Sequence, residues 1–317
     1  MDDLVTRIKE KGMALGFSAV GICDAAPLEE ESRKLDLWLS RKFHGTMEWM
    51  ERTRSQRVDP RSYFPEAKSI VVVAVNYFRK DEPLKLPQDK ASISIYARGR
   101  DYHKVIRKKL KALLKEIQQW VPGVKGRVCV DSFPIMEKSL AVKAGLGWIG
   151  KHTNLILKSK GSYFFLGELL LNISIPSDTP FTFDHCGSCH RCQEACPTDA
   201  LSEAYVLDSR KCISYLTIEH KEGIDENLKP GIGNWVFGCD ICQIVCPWNK
   251  FSESTQISDF HTRIPESWLP LERLEKITSD EFEHLFQGTP VKRAGYENFK
   301  RNVGIALTNY RATVKRS

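Results

Sequence analysis

The chain reads as an α+β protein of 317 residues. Three observations carry that reading. Helix-period and strand-period apolar patterns alternate through residues 1–175. Eight of the ten cysteines then fall in two tight runs and one outlier. A linker rich in Pro, Ser, Thr and Asp, residues 176–184, opens the cysteine segment. The expected parts are a mixed core over residues 1–175, a cysteine domain over 176–250 and a short helical region over 251–317.

Leu4, Ile8 and Leu15 share one face of a first helix that stops near Gly16. Residues 19–22 read as a strand, and 28–43 as a helix with Leu35, Trp38 and Leu39 inward. The β-branched run 69–75 predicts a central strand buried on both faces. Residues 101–120 predict a long amphipathic helix. Its apolar stripe is Ile106, Leu110, Leu113, Leu114 and Ile117, and Pro122-Gly123 ends it. Residues 128–130 predict a strand and 135–144 a helix. Residues 154–157 and 163–173 predict a hairpin around Ser159-Lys160-Gly161. Past the cysteines, 282–286 and 299–310 predict helices. Such helices cannot bury their apolar faces alone. They pack on the core or open an α-repeat array.

The first cysteine run is Cys186-x-x-Cys189-x-x-Cys192-x-x-x-Cys196-Pro197. It matches the bacterial two-cluster ferredoxin spacing, in which the fourth cysteine crosses to the other cluster. The second run is Cys239-x-x-Cys242-x-x-x-Cys246-Pro247, and Cys212 is the nearby candidate for its missing member. Closing the count gives two 4Fe–4S ligand sets. One is Cys186, Cys189, Cys192 and Cys246. The other is Cys196, Cys212, Cys239 and Cys242. Zinc would not need four cysteines in so tight a run. Disulfides need an oxidising compartment, and the opening Met-Asp-Asp shows no signal-peptide pattern. Cys23 and Cys129 lie in apolar stretches and read as inert buried thiols.

Hydrophobic content of 42% and charged content of 27% are ordinary for a globular chain. No apolar run approaches the ~20 residues that span a bilayer, so the expectation is a cytoplasmic protein with no membrane partner. The formal charge is +7. Eight thiolates and two oxidised cluster cores bring it to about +3. Net charge is thus weak evidence for a nucleic-acid partner.

Gly145 to Gly150 spells G-x-G-x-x-G, and Lys151 extends it towards a P-loop. Phosphate binding there needs a strand before and a helix after. The expected order is the reverse, so the glycines read as a tight turn. Asp101 reads as a helix N-cap.

Taken with the cysteine spacing, three segments resemble the epoxyqueuosine reductase family over residues 1–310. They are Tyr96-Ala97-Arg98-Gly99-Arg100-Asp101-Tyr102-His103, Val130-Asp131-Ser132, and Ala144-Gly145-Leu146-Gly147-Trp148-Ile149-Gly150-Lys151. The resemblance implies a nitroreductase-like domain that binds cobalamin, followed by a ferredoxin-like domain with two 4Fe–4S clusters. It implies reduction of epoxyqueuosine to queuosine at the tRNA wobble position, the last step of queuosine biosynthesis. Asp131 matches the family's proton donor, a role that calls for a raised pKa. Arg57, Lys151 and Leu155 match positions that line cobalamin, and Tyr102, His103, His152 and Thr153 are further pocket candidates. The implied partners are tRNA bearing epoxyqueuosine and an electron donor such as a flavodoxin or ferredoxin system; the protein is expected to be a monomer.

Two basic patches are candidates for the RNA. The first is Lys104, Arg107, Lys108, Lys109, Lys111 and Lys115. The second is Lys292, Arg293, Lys300, Arg301, Arg311, Lys315 and Arg316. Many relatives continue into helical repeats after this point, whereas this sequence stops at Ser317, which leaves the strength of tRNA binding open. The alternatives are a reductive dehalogenase-like enzyme acting on a small molecule, and a ferredoxin-like electron carrier.

Overall fold

The structure is a computed structural model and describes residues 2–315. Its N-terminal part is built on a four-stranded sheet. The strands are β1 (Ala19–Asp24), β2 (Ser69–Asn76), β4 (Gly126–Cys129) and β7 (Phe164–Leu171), in the order β1-β2-β7-β4, and every neighbouring pair is antiparallel. β2 and β7 are interior strands and are apolar on both faces apart from Ser69, Asn76 and Glu168, because helices cover both sides.

The period of two sorts their side chains. Val71, Val73, Val75, Leu169 and Leu171 face one layer, with α1 (Asp2–Ala14) and the long helix α3 (Tyr102–Trp120). Ile70, Val72, Ala74, Leu166 and Leu170 face the other, with α4 (Glu137–Lys143). Ile106, Leu110, Leu113 and Ile117 of α3 are fully buried, each worth about 1.5–3 kcal/mol against exposure. A further helix of this part, α2 (Glu29–Ser40), buries Leu35 and Leu39.

The expected hairpin is absent. Leu155–Ile156 (β6) pairs instead with Trp148–Ile149 (β5), and β7 joins the main sheet. A single Leu157–Gly161 bridge closes the intervening turn. The reason is burial: seven of the eight residues of β7 are buried, which suits an interior strand and not one arm of an exposed hairpin. A strand, not a helix, follows Gly145–Gly150, and Gly145 turns the chain with φ +74°.

The cysteine segment joins the sheet domain through parallel pairing of β3 (Ser92–Ile93) with β8 (Trp235–Phe237). Three C-terminal helices close over that joint: α5 (Leu271–Glu275), α6 (Ser279–Leu285) and α7 (Tyr296–Val314). One apolar cluster there contains Ile93 and Ala97, Val236 and Phe237, and Phe282, Phe286, Phe299 and Val303. The C-terminal helices thus pack on the core. No described helix is long and apolar enough to cross a membrane.

Candidate functional site

Two sets of chemistry-bearing side chains lie on either side of the joint. The first is at the N-terminus of α3. Asp101 caps the helix by accepting from His103 N at 3.1 Å, and its Oδ1 also bonds His103 Nδ1 at 2.7 Å. The other imidazole nitrogen, Nε2, lies 2.9 Å from Asp131 Oδ2. Tyr102 Oη donates to the same oxygen at 2.7 Å, and its ring stacks on Phe165 of β7 at 4.1 Å. Asp131 follows β4 with φ +51°, a left-handed conformation that costs a non-glycine residue about 1–2 kcal/mol. Its N–H donates to Glu137 Oε1 at 2.6 Å, which fixes that turn.

A proton donor calls for a raised pKa, which a sequence cannot show, and the site as folded sets Asp131 the other way. Burial pushes it up, but hydrogen bonds from His103 and Tyr102 and the charges of His103 and Arg293 hold it below the usual carboxylate value. Burial also opposes a charge on His103, yet its bonds to Asp101 and Asp131 win and push it up to about 9. At neutral pH the proton therefore sits on His103, beside an Asp131 carboxylate whose side chain is 46% exposed.

Behind this pair lies an acid couple that sequence reasoning missed. Glu168 of β7 shares a sheet face with Leu166 and Leu170, opposite α4, and is fully buried. Neither of its oxygens accepts a hydrogen bond from an N–H or hydroxyl. The Glu137 carboxyl lies within hydrogen-bonding reach. Two carboxyls bond only when one carries a proton. Burial and the neighbouring negative charge raise the pKa of both. The available signal was a lone acid in an otherwise apolar strand. In sequence Arg293 is one charge of a surface patch, yet it stands close enough for its charge to act on Asp131.

The second set is the cysteines, all free thiols. Cys186, Cys189, Cys192 and Cys246 line one cavity together with Lys151, His152 and Trp248. Cys196, Cys212, Cys239 and Cys242 line another, of ≈ 270 Å³, which extends to Tyr96, Lys138, Thr153 and Asn154. The eight residues thus gather into the two groups that crossing of Cys196 and Cys246 requires. Among the described residues no three His, Cys, Asp or Glu side chains are gathered closely enough to hold a single metal ion. Zinc would need that. A four-iron cube does not, because each thiolate takes its own iron. Cys23 and Cys129 are buried elsewhere, and burial pushes the Cys23 thiol up to about 12.

The candidate cofactor residues separate. Tyr102 and His103 hold Asp131. Arg57 is half-buried and feels the charges of Glu137 and Asp131. Thr153 lines the larger cavity, and its carbonyl accepts from Lys138 Nζ at 2.7 Å. Lys151 is placed elsewhere: its Nζ donates to Gly187 O at 2.7 Å and Cys189 O at 3.0 Å, tying down the first cysteine loop. His152 is 3% exposed and lines both cysteine cavities. Burial holds its imidazole neutral, down to about 4. The Leu155 side chain is packed in the core.

The basic patches also divide. Lys104, Lys108, Lys111 and Lys115 form one exposed stripe along α3, and none makes an ion pair among the described residues. In the C-terminal patch, Lys292 pairs with Glu283, Arg293 with Glu219 and Arg311 with Glu275. Lys300 donates to Glu275 O, and Arg301 to the carbonyls of Leu216, His220 and Glu222. Arg316 lies outside the described residues.

Comparisons with known proteins agree with this geometry. The family model described as "Epoxyqueuosine reductase QueG, DUF1730" matches residues 57–132, and a "4Fe-4S double cluster binding domain" matches 185–249. An epoxyqueuosine reductase of Cyclobacterium marinum is 45% identical over 93% of this chain and 94% of its own length. That of Escherichia coli is 42% identical over 98% of this chain and 82% of its own. Among solved structures, an epoxyqueuosine reductase with an epoxyqueuosine-modified tRNA-Tyr stem loop superposes with TM-score 0.89 at 30% identity, covering 98% of this chain and 82% of that one.

Proposed function

The chain belongs to the epoxyqueuosine reductase family, and from that premise we infer that it reduces epoxyqueuosine in tRNA to queuosine. Expelling the epoxide oxygen as water consumes two electrons and two protons. The observation that carries the reading is the meeting of a proton site with an electron site. The cavity of Cys196, Cys212, Cys239 and Cys242 reaches Tyr96. The Tyr96 ring lies 6.1 Å from that of Tyr102, and Tyr102 holds Asp131.

The iron–sulfur clusters are those of the double-cluster domain, and the eight grouped cysteines are their proposed ligands. Cobalamin is the proposed second cofactor. Tyr96, Lys138, Thr153 and Asn154 would form one wall of its site, with Arg57, Tyr102, His103 and Asp131 at the rim; polar groups beside aromatic faces suit its amide-fringed ring. When bound it supplies low-potential chemistry at cobalt.

The chain's own residues handle the proton. His103 stores it, held by Asp101. Covering Asp131 with substrate removes water from the carboxylate and raises its proton affinity. The proton then shifts from His103 Nε2 to Asp131 along their existing bond, Asp131 donates it to the departing oxygen, and solvent water at the exposed side of the cleft supplies the second proton. The Glu137 bond to Asp131 N holds the donor in place. The α3 lysine stripe begins beside His103 and is the proposed track for the tRNA backbone. The modified base must leave its stack to reach the site. A monomeric cytoplasmic enzyme fed by a flavodoxin or ferredoxin system completes the proposal.

The test is anaerobic incubation of the fully loaded protein with a strong reductant and either epoxyqueuosine-containing tRNA or halogenated aromatics. Queuosine in the digested tRNA is the expected product. Dehalogenation without queuosine would shift the reading to a small-molecule reductase.

A further inference from the structure

One buried ring N–H group in the described structure, His152 Nε2, has no hydrogen-bond partner, and a second, Trp148 Nε1, finds no oxygen or nitrogen acceptor but lies within reach of the Cys186 sulfur. Both residues are almost fully enclosed, at 3% and 4% exposure. A buried donor left without an acceptor costs about 1–3 kcal/mol, and native interiors rarely tolerate one. Both lie beside the same cysteines, which points to sulfur as the acceptor there.

The local fold fixes where His152 points. Asn154 N donates to His152 Nδ1 at 3.1 Å, so the ring proton of the neutral imidazole is on Nε2. A tight turn holds the ring: Thr153 N donates to Gly150 O at 2.8 Å, and Gly150 N to Asn154 O at 2.9 Å. A side chain at position 150 would meet Ile156 Cδ1 at 2.6 Å and His152 Cε1 at 3.2 Å, so the glycine leaves the imidazole room to lie where it does. The ring lines both cysteine cavities and stands between them. Trp148 packs with Cys186 and Cys246 of the first cysteine group.

We propose that His152 is a positioning and tuning residue of the electron path, whose Nε2–H donates to a sulfur of one of the two clusters. Trp148 does the same for the cluster held by Cys186 and Cys246. An N–H donated to a cluster sulfur stabilises the extra negative charge of the reduced state and so raises that cluster's reduction potential. A donor placed between two clusters and bonded to one sets their potentials apart and gives the electron a preferred direction.

The inference rests on the cluster reading, and an iron count separates the two. The holoenzyme and its His152→Leu and His152→Gln variants are titrated anaerobically and followed by electron paramagnetic resonance. With about eight irons per chain in each protein, His152→Leu should lower the potential of one cluster and leave the other unchanged. His152→Gln keeps a donor and should recover most of the shift. In the wild-type protein labelled with 15N-histidine, the reduced cluster should show coupling to one histidine nitrogen. That coupling needs no variant to fold. Unchanged potentials in His152→Leu, equal shifts of both clusters, or no histidine coupling would overturn the proposal while leaving the clusters in place. A chain that takes up no iron would overturn both.

Discussion

The proton site and the electron site are made of opposite materials. Around Asp131 the groups are charged, hydrogen-bonded to one another and partly open to solvent. Around the cysteines they are mostly apolar and enclosed, the cations Lys138 and Lys151 are tied to backbone carbonyls, and His152 is left with a donor to spare. The contrast follows from what each must do. A proton donor must exchange with substrate and water, so it works from a cleft with a charged store behind it. An electron carrier needs insulation, and its charge changes are absorbed by fixed dipoles. It also explains why Lys151, a cofactor candidate by resemblance, is spent on the Gly187 and Cys189 carbonyls: it fastens the insulated side.

Removing a piece from one side should leave the other intact. The largest effect is expected for Cys212→Ser. Iron should fall from about eight to about four per chain and queuosine formation should stop, with the proton site unchanged. Loss of all iron, or of none, would break the ligand grouping. Next comes Asp131→Asn, which should lower turnover by about 10²–10⁴ while both clusters remain visible by electron paramagnetic resonance; near-normal turnover would remove Asp131 from the chemistry.

His103→Gln should slow turnover by less and change its pH profile. The folded-state pKa of His103 is raised, to about 9. Its contribution to stability is therefore complete below the unfolded value and is lost as pH rises through about 9. The wild-type rate should fall over the same range, and the variant's should not. Replacing Lys104, Lys108, Lys111 and Lys115 by Ala should raise KM for tRNA, with kcat held. The salt dependence should flatten by up to about 0.7–0.9 for each phosphate no longer neutralised. The same change at Lys292, Lys300 and Arg311 should do little, because those charges already have partners. The smallest effect is Glu168→Gln. It replaces a protonated acid by its isostere and should cost less than about 1 kcal/mol in denaturant unfolding; a loss several times larger would mean that Glu168 is ionised.

The two sides also differ in how far the sequence reveals them. The cysteine grouping is legible because ligand spacing is a local code: Cys-x-x-Cys runs and Cys-Pro ends need no knowledge of the fold. The helices are legible from period, since α3 carries a full apolar stripe. The proton site is not, because its members meet only in space. Tyr102 and His103 start a helix, Asp131 ends a strand, Glu168 lies inside the sheet and Arg293 comes from the C-terminal part. Resemblance points to Asp131 but says nothing of its electrostatic state, since no pattern shows that His103 sits between two carboxylates. The hairpin around Lys160 fails for a related reason. Turn residues announce a reversal, but the burial of β7 on both faces decides which strands it joins. The C-terminal charges look freer in sequence than they are, because a sequence shows cations without their partners.

At the centre of the proposal is a proton held at His103 and passed through Asp131 while electrons arrive from the clusters. Anaerobic single turnover of the loaded enzyme on epoxyqueuosine-containing tRNA, followed across pH by nucleoside mass spectrometry, examines both at once. Queuosine should form at a rate that holds through neutrality and declines above about pH 9. A rate that already collapses between about pH 6 and 7, near the ordinary histidine value, or no queuosine at any pH, would contradict it.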